Sequence, residues 1–341
     1  MRVDVILVSY NQENYIAQAV ESILMQQVRD DVVVRIIVAD DCSTDNTLKI
    51  IKSYDSSRTS FSYDRKKIKF LYLSSPINLG LGGNYQRAFA ACDADYISIL
   101  EGDDYWTNPQ KLQKQIDFLE GNTDLGLVYT DYDVVDIEGC VRERAVFHNN
   151  PECHTKNFED HLLQKAFIAP LTWMFRADLL KIIDKNNFCD MSFAIALDMF
   201  KNTNISYLDC VTSAYRMHIG SLSKPKSISD QYKLHKSIFK IQLYYLDKYN
   251  CEERLFKLVK SQNYLGILPF ALELKDWDFV NEVREWAILN DIEINSYINV
   301  CNYNNEICNA YNKILVSRSF KLGCVILRPL KLLKKIIKSQ K

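Results

Sequence analysis

No part of this 341-residue chain approaches the roughly 18 uninterrupted apolar residues that a membrane-spanning helix needs, so an integral membrane protein is not expected. The apolar run in Met1–Val8 is too short for a secretory leader and lacks a small-residue cleavage site after it, so it reads as a first strand. Ten cysteines include no Cys-x-x-Cys pair, and Cys92 and Cys210 fall in expected helices or strands. Reduced thiols of a cytoplasmic protein explain them more simply than a zinc site or a disulfide framework. A formal net charge of −1 leaves no general basic surface, which argues against a nucleic-acid partner. Gly-x-Gly-x-x-Gly is missing after the first strand, and with it the signature of a nicotinamide dehydrogenase; the run Gly80 to Gly83 comes after the third strand with other spacing.

What is present is a folded composition, 48% hydrophobic and 25% charged, in a chain long enough for a catalytic domain and an appendage. Strands and helices alternate through the first third. Val3–Val8 is followed by a helix over Tyr15–Met25, with Ile16, Ala19, Val20 and Ile23 at helical spacing. Val32–Ala39 leads through Ser43 or Thr44 as a cap into a helix carrying Leu48, Ile50 and Ile51. After a polar loop, Asp55–Lys67, come the strand Ile68–Leu73, the loop Asn78–Asn84, a helix to about Cys92 and the strand beginning at Tyr96. Repeated units of this kind predict an α/β nucleotide-binding fold with a mainly parallel sheet, whose polar strand ends open on one edge. A helix from Pro109, a strand over Leu127–Val135 and a polar stretch, Glu138–Thr155, expected as a mobile lid, follow. From about Ser227 long amphipathic patterns take over, which sets the expected boundary between a domain at 1–226 (nucleotide half 1–105, acceptor half 106–226) and a helical region at 227–341 able to serve as a homo-oligomer contact. The tail Arg318–Lys341 has many basic and no acidic residues among interleaved Leu, Ile and Val, which suits an anionic membrane surface or a packed last helix with a solvated face.

The densest chemistry lies where the apolar run Tyr96–Leu100 stops at Glu101-Gly102-Asp103-Asp104. Three carboxylates this close repel one another. They are tolerated as a solvated turn, or around a divalent cation, and hard oxygen donors suit Mg²⁺ or Mn²⁺ carrying a substrate phosphate.

Four clusters in order, Val5-Ile6-Leu7-Val8-Ser9-Tyr10-Asn11, Val38-Ala39-Asp40-Asp41-Cys42-Ser43-Thr44-Asp45, Asn78-Leu79-Gly80 and Leu100-Glu101-Gly102-Asp103-Asp104, closely resemble the signature of family 2 glycosyltransferases, which have the GT-A fold. The resemblance covers about the first 220 residues. It implies an inverting transferase that takes a sugar from a nucleoside-diphosphate donor, with UDP expected, to a hydroxyl of a glycan, lipid-linked or glycoprotein acceptor in the synthesis of surface polysaccharide or glycoconjugates. It implies that Ser9, Tyr10, Asn11 and Glu13 line the nucleotide pocket, that Asp41 with its neighbour Asp40 contacts uracil or ribose, and that Asn78, Gly80 and Arg87 flank the nucleotide. Asp103 matches the second acid of the metal motif, beside Gly102 and Asp104, while Glu101 stands where the family has its first Asp. The catalytic base is expected at Asp190, with Asp198 the alternative, and Cys189 replaces the acid usual before the base. Tyr215-Arg216-Met217-His218 resembles the family's Tyr-Arg-x-His element, so Arg216 and His218 are expected to meet the diphosphate or metal. Thr172 and Trp173, with Tyr105 and Trp106 for stacking on sugar, are expected at the acceptor side. The competing reading is a catalytically silent nucleotide- or sugar-binding scaffold. A nucleotidyltransferase would want a Gly-rich, cationic loop after the first strand, which Ser9-Tyr10-Asn11-Gln12 is not.

Overall fold

A computed structural model describes residues 1–56, 64, 67–73, 75–164, 167–218, 227–290 and 292. The tail Arg318–Lys341 and part of the loop Asp55–Lys67 lie outside the described residues. The chain divides into two compact units, one of Met1–Pro151 with Ile168–Met217, the other of Glu152–Phe167 with the chain from His218 onward.

The first unit opens with β1 (Arg2–Ser9), in which Val3, Val5, Ile6 and Leu7 have no exposed surface, as a strand covered on both faces requires. Helix α1 (Ile16–Leu24) buries Ile16, Ala19, Val20 and Ile23, the stripe expected from their spacing. Then come β2 (Val33–Asp40), α2 (Thr47–Asp55), β3 (Ile68–Leu73), α3 (Gly80–Ala90) and β4 (Tyr96–Glu101). β3, β2, β1 and β4 lie side by side and parallel, with Ser9 opposite Asp40 and Val8 opposite Glu101. Three polar strand ends thereby share one edge. Capping of α2 by Ser43 or Thr44 is not observed: the helix starts after Asn46, and Ser43 Oγ donates instead to Asp40 Oδ1 at 2.6 Å.

The sheet continues through β5 (Tyr105–Trp106), α4 (Lys111–Gly121), β6 (Leu125–Val135), β7 (Val141–Glu143), the short α5 (Val146–Asn149), α6 (Phe158–Leu162) of the other unit, β8 (Trp173–Arg176), α7 (Met191–Asn202) and β9 (Asn204–Arg216). Strand order is β3-β2-β1-β4-β8-β6-β9-β5, with β7 on β6. Parallel pairing holds to β4 and returns between β6 and β9, but β8 runs antiparallel to both β4 and β6. The second half is therefore mixed, because β8 enters from the tight turn Pro170–Thr172 and not from a crossover helix. The stretch Glu138–Thr155 is not a structureless lid. Its β7 pairs with β6, Phe147 is buried with ring centroids 5.4 Å from Tyr129 and 5.3 Å from Tyr132, and the amides of Phe147 and His148 each donate to the buried Asp131 carboxylate at 2.9 Å. One aromatic and one acid anchor a segment whose composition reads as polar.

The second unit contains α6 with α8 (Ile228–Lys248), α9 (Glu253–Leu274) and α10 (Trp277–Leu289). Residues 152–167 group with this unit. Gln242 Nε2 donates to the Leu162 carbonyl, Gln262 Nε2 to the Leu163 carbonyl at 2.9 Å, and the Phe158 ring stands edge-on to Tyr249. Among the described residues no helix is long and apolar enough to cross a membrane.

Candidate active site

The loops after β1 and β2 are laced together. Asn11 and Cys42 hold left-handed backbone, φ 51° and 62°, which turns each loop sharply out of its strand. The Asn11 amide donates to Ser43 Oγ at 2.9 Å, and Asn11 Oδ1 accepts from the Thr44 amide at 2.8 Å. Glu13 Oε2 accepts from the amide and the side chain of Asn46 at 2.9 and 2.8 Å. Asp40 accepts from Ser9 Oγ at 3.0 Å and from the Ser43 amide at 3.0 Å, in addition to Ser43 Oγ. These groups set the shape of the loops, whereas Tyr10 stands 48% exposed at the rim.

Asp41 Oδ1 accepts from the Leu79 amide at 2.8 Å, and Asn78 Nδ2 donates to the Asp41 carbonyl at 3.2 Å. Gly80, with φ 73° and its amide on Asn78 Oδ1 at 2.9 Å, starts α3 at that point. Arg87 reaches back from α3 to Asn84 Oδ1 (2.8 Å) and to the carbonyls of Leu73 and Asp40, so its guanidinium braces the ends of β2 and β3.

β4 ends in the acids. Carboxylate oxygens of Glu101, Asp103 and Asp104 lie within 4.8 Å of one another. Burial first, and the Asp103 charge second, push the Glu101 carboxyl up to about 8; a hydrogen bond from Tyr85 at 3.2 Å opposes this, and the Asp190 charge adds to it. Burial and the charges of Asp103 and Glu101 raise Asp104 well above the usual carboxylate range. Three carboxylates, hard oxygen donors this close together, fit a divalent cation, whose charge would relieve the repulsion. Gly102 is needed between them, since a Cβ there would meet Ile16 Cδ1 at 2.7 Å as well as the Gln12 side chain. His218 is not a member of this carboxylate cluster and belongs to the second unit.

Asp190 caps α7, its Oδ1 accepting from the Phe193 amide at 2.9 Å and from Ser192 Oγ at 2.7 Å. It remains half-buried, and its charge adds to the upward push on the Glu101 carboxyl and the Tyr85 hydroxyl. Asp198 is different. It has no exposed surface, and its Oδ2 accepts from the Asp184 amide at 2.8 Å.

Of the four side chains expected at the acceptor side, Tyr105 has accessible surface beside the acids. Trp106 is 1% exposed, donating to the Leu171 carbonyl at 2.9 Å beneath the Lys111 ammonium, and Thr172 and Trp173 have no exposed surface at all. Arg216 is also buried, its guanidinium spread over backbone carbonyls and Gln18 between the rings of Tyr15 and Tyr105. Neither Tyr85 nor Gln18 stands out in the sequence, because nothing in their spacing pairs them with Glu101 or Arg216.

Comparison with known proteins assigns this fold and acid cluster to a glycosyltransferase. The chain belongs to glycosyl transferase family 2, whose family model matches residues 4–183, and it has the GT-A fold. It is 28% identical over 244 residues, 69% of this chain and 86% of the relative, to the Escherichia coli UDP-Glc:alpha-D-GlcNAc-diphosphoundecaprenol beta-1,3-glucosyltransferase WfaP. A crystal structure of S. aureus TarS in complex with UDP-GlcNAc superposes with a TM-score of 0.54 at 21% identity, covering 80% of this chain and 73% of that one. The mannosyltransferase PcManGT from Pyrobaculum calidifontis, in complex with GDP-Man and Mn²⁺, gives a TM-score of 0.54 at 14% identity over 95% of this chain and 86% of that one. The chain spans 36% of the length of curated relatives with which it shares 33% identity over 135 residues.

Proposed function

We propose that this protein transfers a sugar from a UDP-sugar to a hydroxyl of a glycan or lipid-linked acceptor, in one displacement that inverts the anomeric centre. The observation that carries the reading is the carboxylate cluster at the end of β4, within the matched family region, with Asp190 at the start of α7 near enough for its charge to act on Glu101. Asp190 accepts the proton of the acceptor hydroxyl as its oxygen bonds to the anomeric carbon, while the bond from that carbon to the diphosphate breaks. Asp103, with Asp104 and Glu101 behind it, would hold Mn²⁺ or Mg²⁺, which when bound supplies charge stabilisation to the departing diphosphate. Asp41 and the loops carrying Tyr10 and Asn78 hold the nucleoside, and Tyr105 presents a face for a sugar ring. The lipid-linked acceptor named for WfaP supports an acceptor of that class, in surface polysaccharide or glycoconjugate synthesis at the inner face of a membrane.

Calorimetric titration with UDP, with and without Mn²⁺, tests the reading. Wild type should bind UDP more tightly with Mn²⁺, and Asp103→Ala should lose that dependence; equal affinity in the two proteins removes the metal role. Binding of UDP without any hydrolysis or transfer of a panel of nucleotide sugars would favour the silent scaffold instead.

A further inference from the structure

We propose that Arg216 is a positioning residue: it ties the acid loop to α1 and to the β6–β7 turn, so that the carboxylates of Asp103 and Asp104 are held in place before a cation or donor arrives. The proposal rests on the functional reading above for its consequence, not for its geometry. Arg216 ends β9 and is 4% exposed. Its backbone amide donates to Asp104 Oδ1 at 2.7 Å, and its Nε donates to the Asp103 carbonyl at 2.9 Å. Nη1 donates to the carbonyls of Asp136 and Ile137, both at 3.2 Å, in the turn between β6 and β7. Nη2 donates to Gln18 Oε1 on α1, and the guanidinium lies 5.0 Å from the Tyr15 ring centre and 5.3 Å from that of Tyr105.

A planar fork is suited to this work because its donors point in fixed directions, so three segments are joined to the end of β9 through one rigid group. A lysine would keep the charge and lose the fork. The same commitment of donors leaves no open bidentate face for a diphosphate, which is the role the sequence resemblance assigned to Arg216. Groups that orient a metal ligand from behind typically carry a tenfold to hundredfold share of metal affinity.

Two measurements on the full chain test the tie. Hydrogen exchange without metal or nucleotide should show the peptides spanning 102–106 and 136–139 exchanging about tenfold faster in Arg216→Lys than in wild type, since the fork's lost hydrogen bonds let these segments open more often. In Gln18→Ala, which removes one anchor on an exposed side chain, the same peptides should quicken by a smaller factor. Unchanged exchange in both variants overturns the proposal. Mn²⁺ binding followed by electron paramagnetic resonance should weaken about tenfold in Arg216→Lys although the charge is kept. Unchanged Mn²⁺ affinity together with weakened UDP binding would instead make Arg216 a diphosphate contact and also overturn it. If wild type binds no Mn²⁺, the metal part of the functional reading fails, and the exchange result still decides the tie.

Discussion

Asp190 and Asp198 sit eight positions apart on one helix and differ in every respect that matters to proton transfer. Asp190 caps the helix, half-buried, with its charge acting on Glu101; Asp198 has no exposed surface and accepts from the Asp184 amide. Asp190→Asn should keep the cap through its side-chain oxygen, leave UDP binding intact and reduce transfer by about 10²- to 10⁴-fold, the usual share of a general base. Asp198→Ala should leave the pH profile of transfer alone and lower stability by about 1–3 kcal/mol, because the part-buried Asp184 amide loses its acceptor. Steady-state transfer and thermal unfolding of the two variants separate these outcomes, and a fully active Asp190→Asn would move the base elsewhere. At this scale the sequence carried residue type and order well. It did not carry exposure: Trp106, Thr172 and Trp173 look like an acceptor wall in one dimension and are core in three.

Among the elements, α3 does more than its sequence suggests. Its Asn84 donates to the Ala39 carbonyl at 2.7 Å, Tyr85 reaches Glu101, and Gly82 lets the loop at Asn187–Phe188, which leads to Asp190, approach to a distance where a Cβ would collide. One helix thereby spans the end of β2, the acids and the base loop. In the second unit the joint of α8 and α9 carries a pH response. Burial beside Phe270, with ring centroids 5.3 Å apart, pushes His235 down to about 4 from its ordinary 6.5. As pH falls through 6.5 the unfolded chain takes the proton first, while the folded chain resists until about 4. His235 therefore favours the fold fully above that window, and its contribution falls away within it, by about 1–2 kcal/mol given the partial exposure of the ring. Thermal unfolding at both ends of the window should show a larger acid loss for wild type than for His235→Leu; equal losses would acquit the histidine.

At the level of the whole molecule, the second unit takes residues 152–167 out of the middle of the chain. A truncation after residue 226 removes the glutamines that hold the Leu162 and Leu163 carbonyls and the tyrosine against Phe158. Limited proteolysis of that truncated protein should cut first within 152–167, where the full chain resists. Cleavage at the same rate in both proteins would show that this segment draws no protection from the helices.

Much of this protein was determined by the sequence alone: the β/α alternation, the stripe on α1, the polar strand ends and the order of four motifs. Those features are local, since periodicity and turn chemistry act over a few residues. The tertiary structure alone decided the antiparallel reversal at β8, the anchoring of the supposed lid by Phe147 and Asp131, the burial of Trp173 and the commitment of the Arg216 donors. Each depends on groups 16 to 198 positions apart meeting in space, as Phe147 meets Asp131 and Arg216 meets Gln18. Burial and hydrogen bonding are properties of that meeting, and no single stretch of chain contains them.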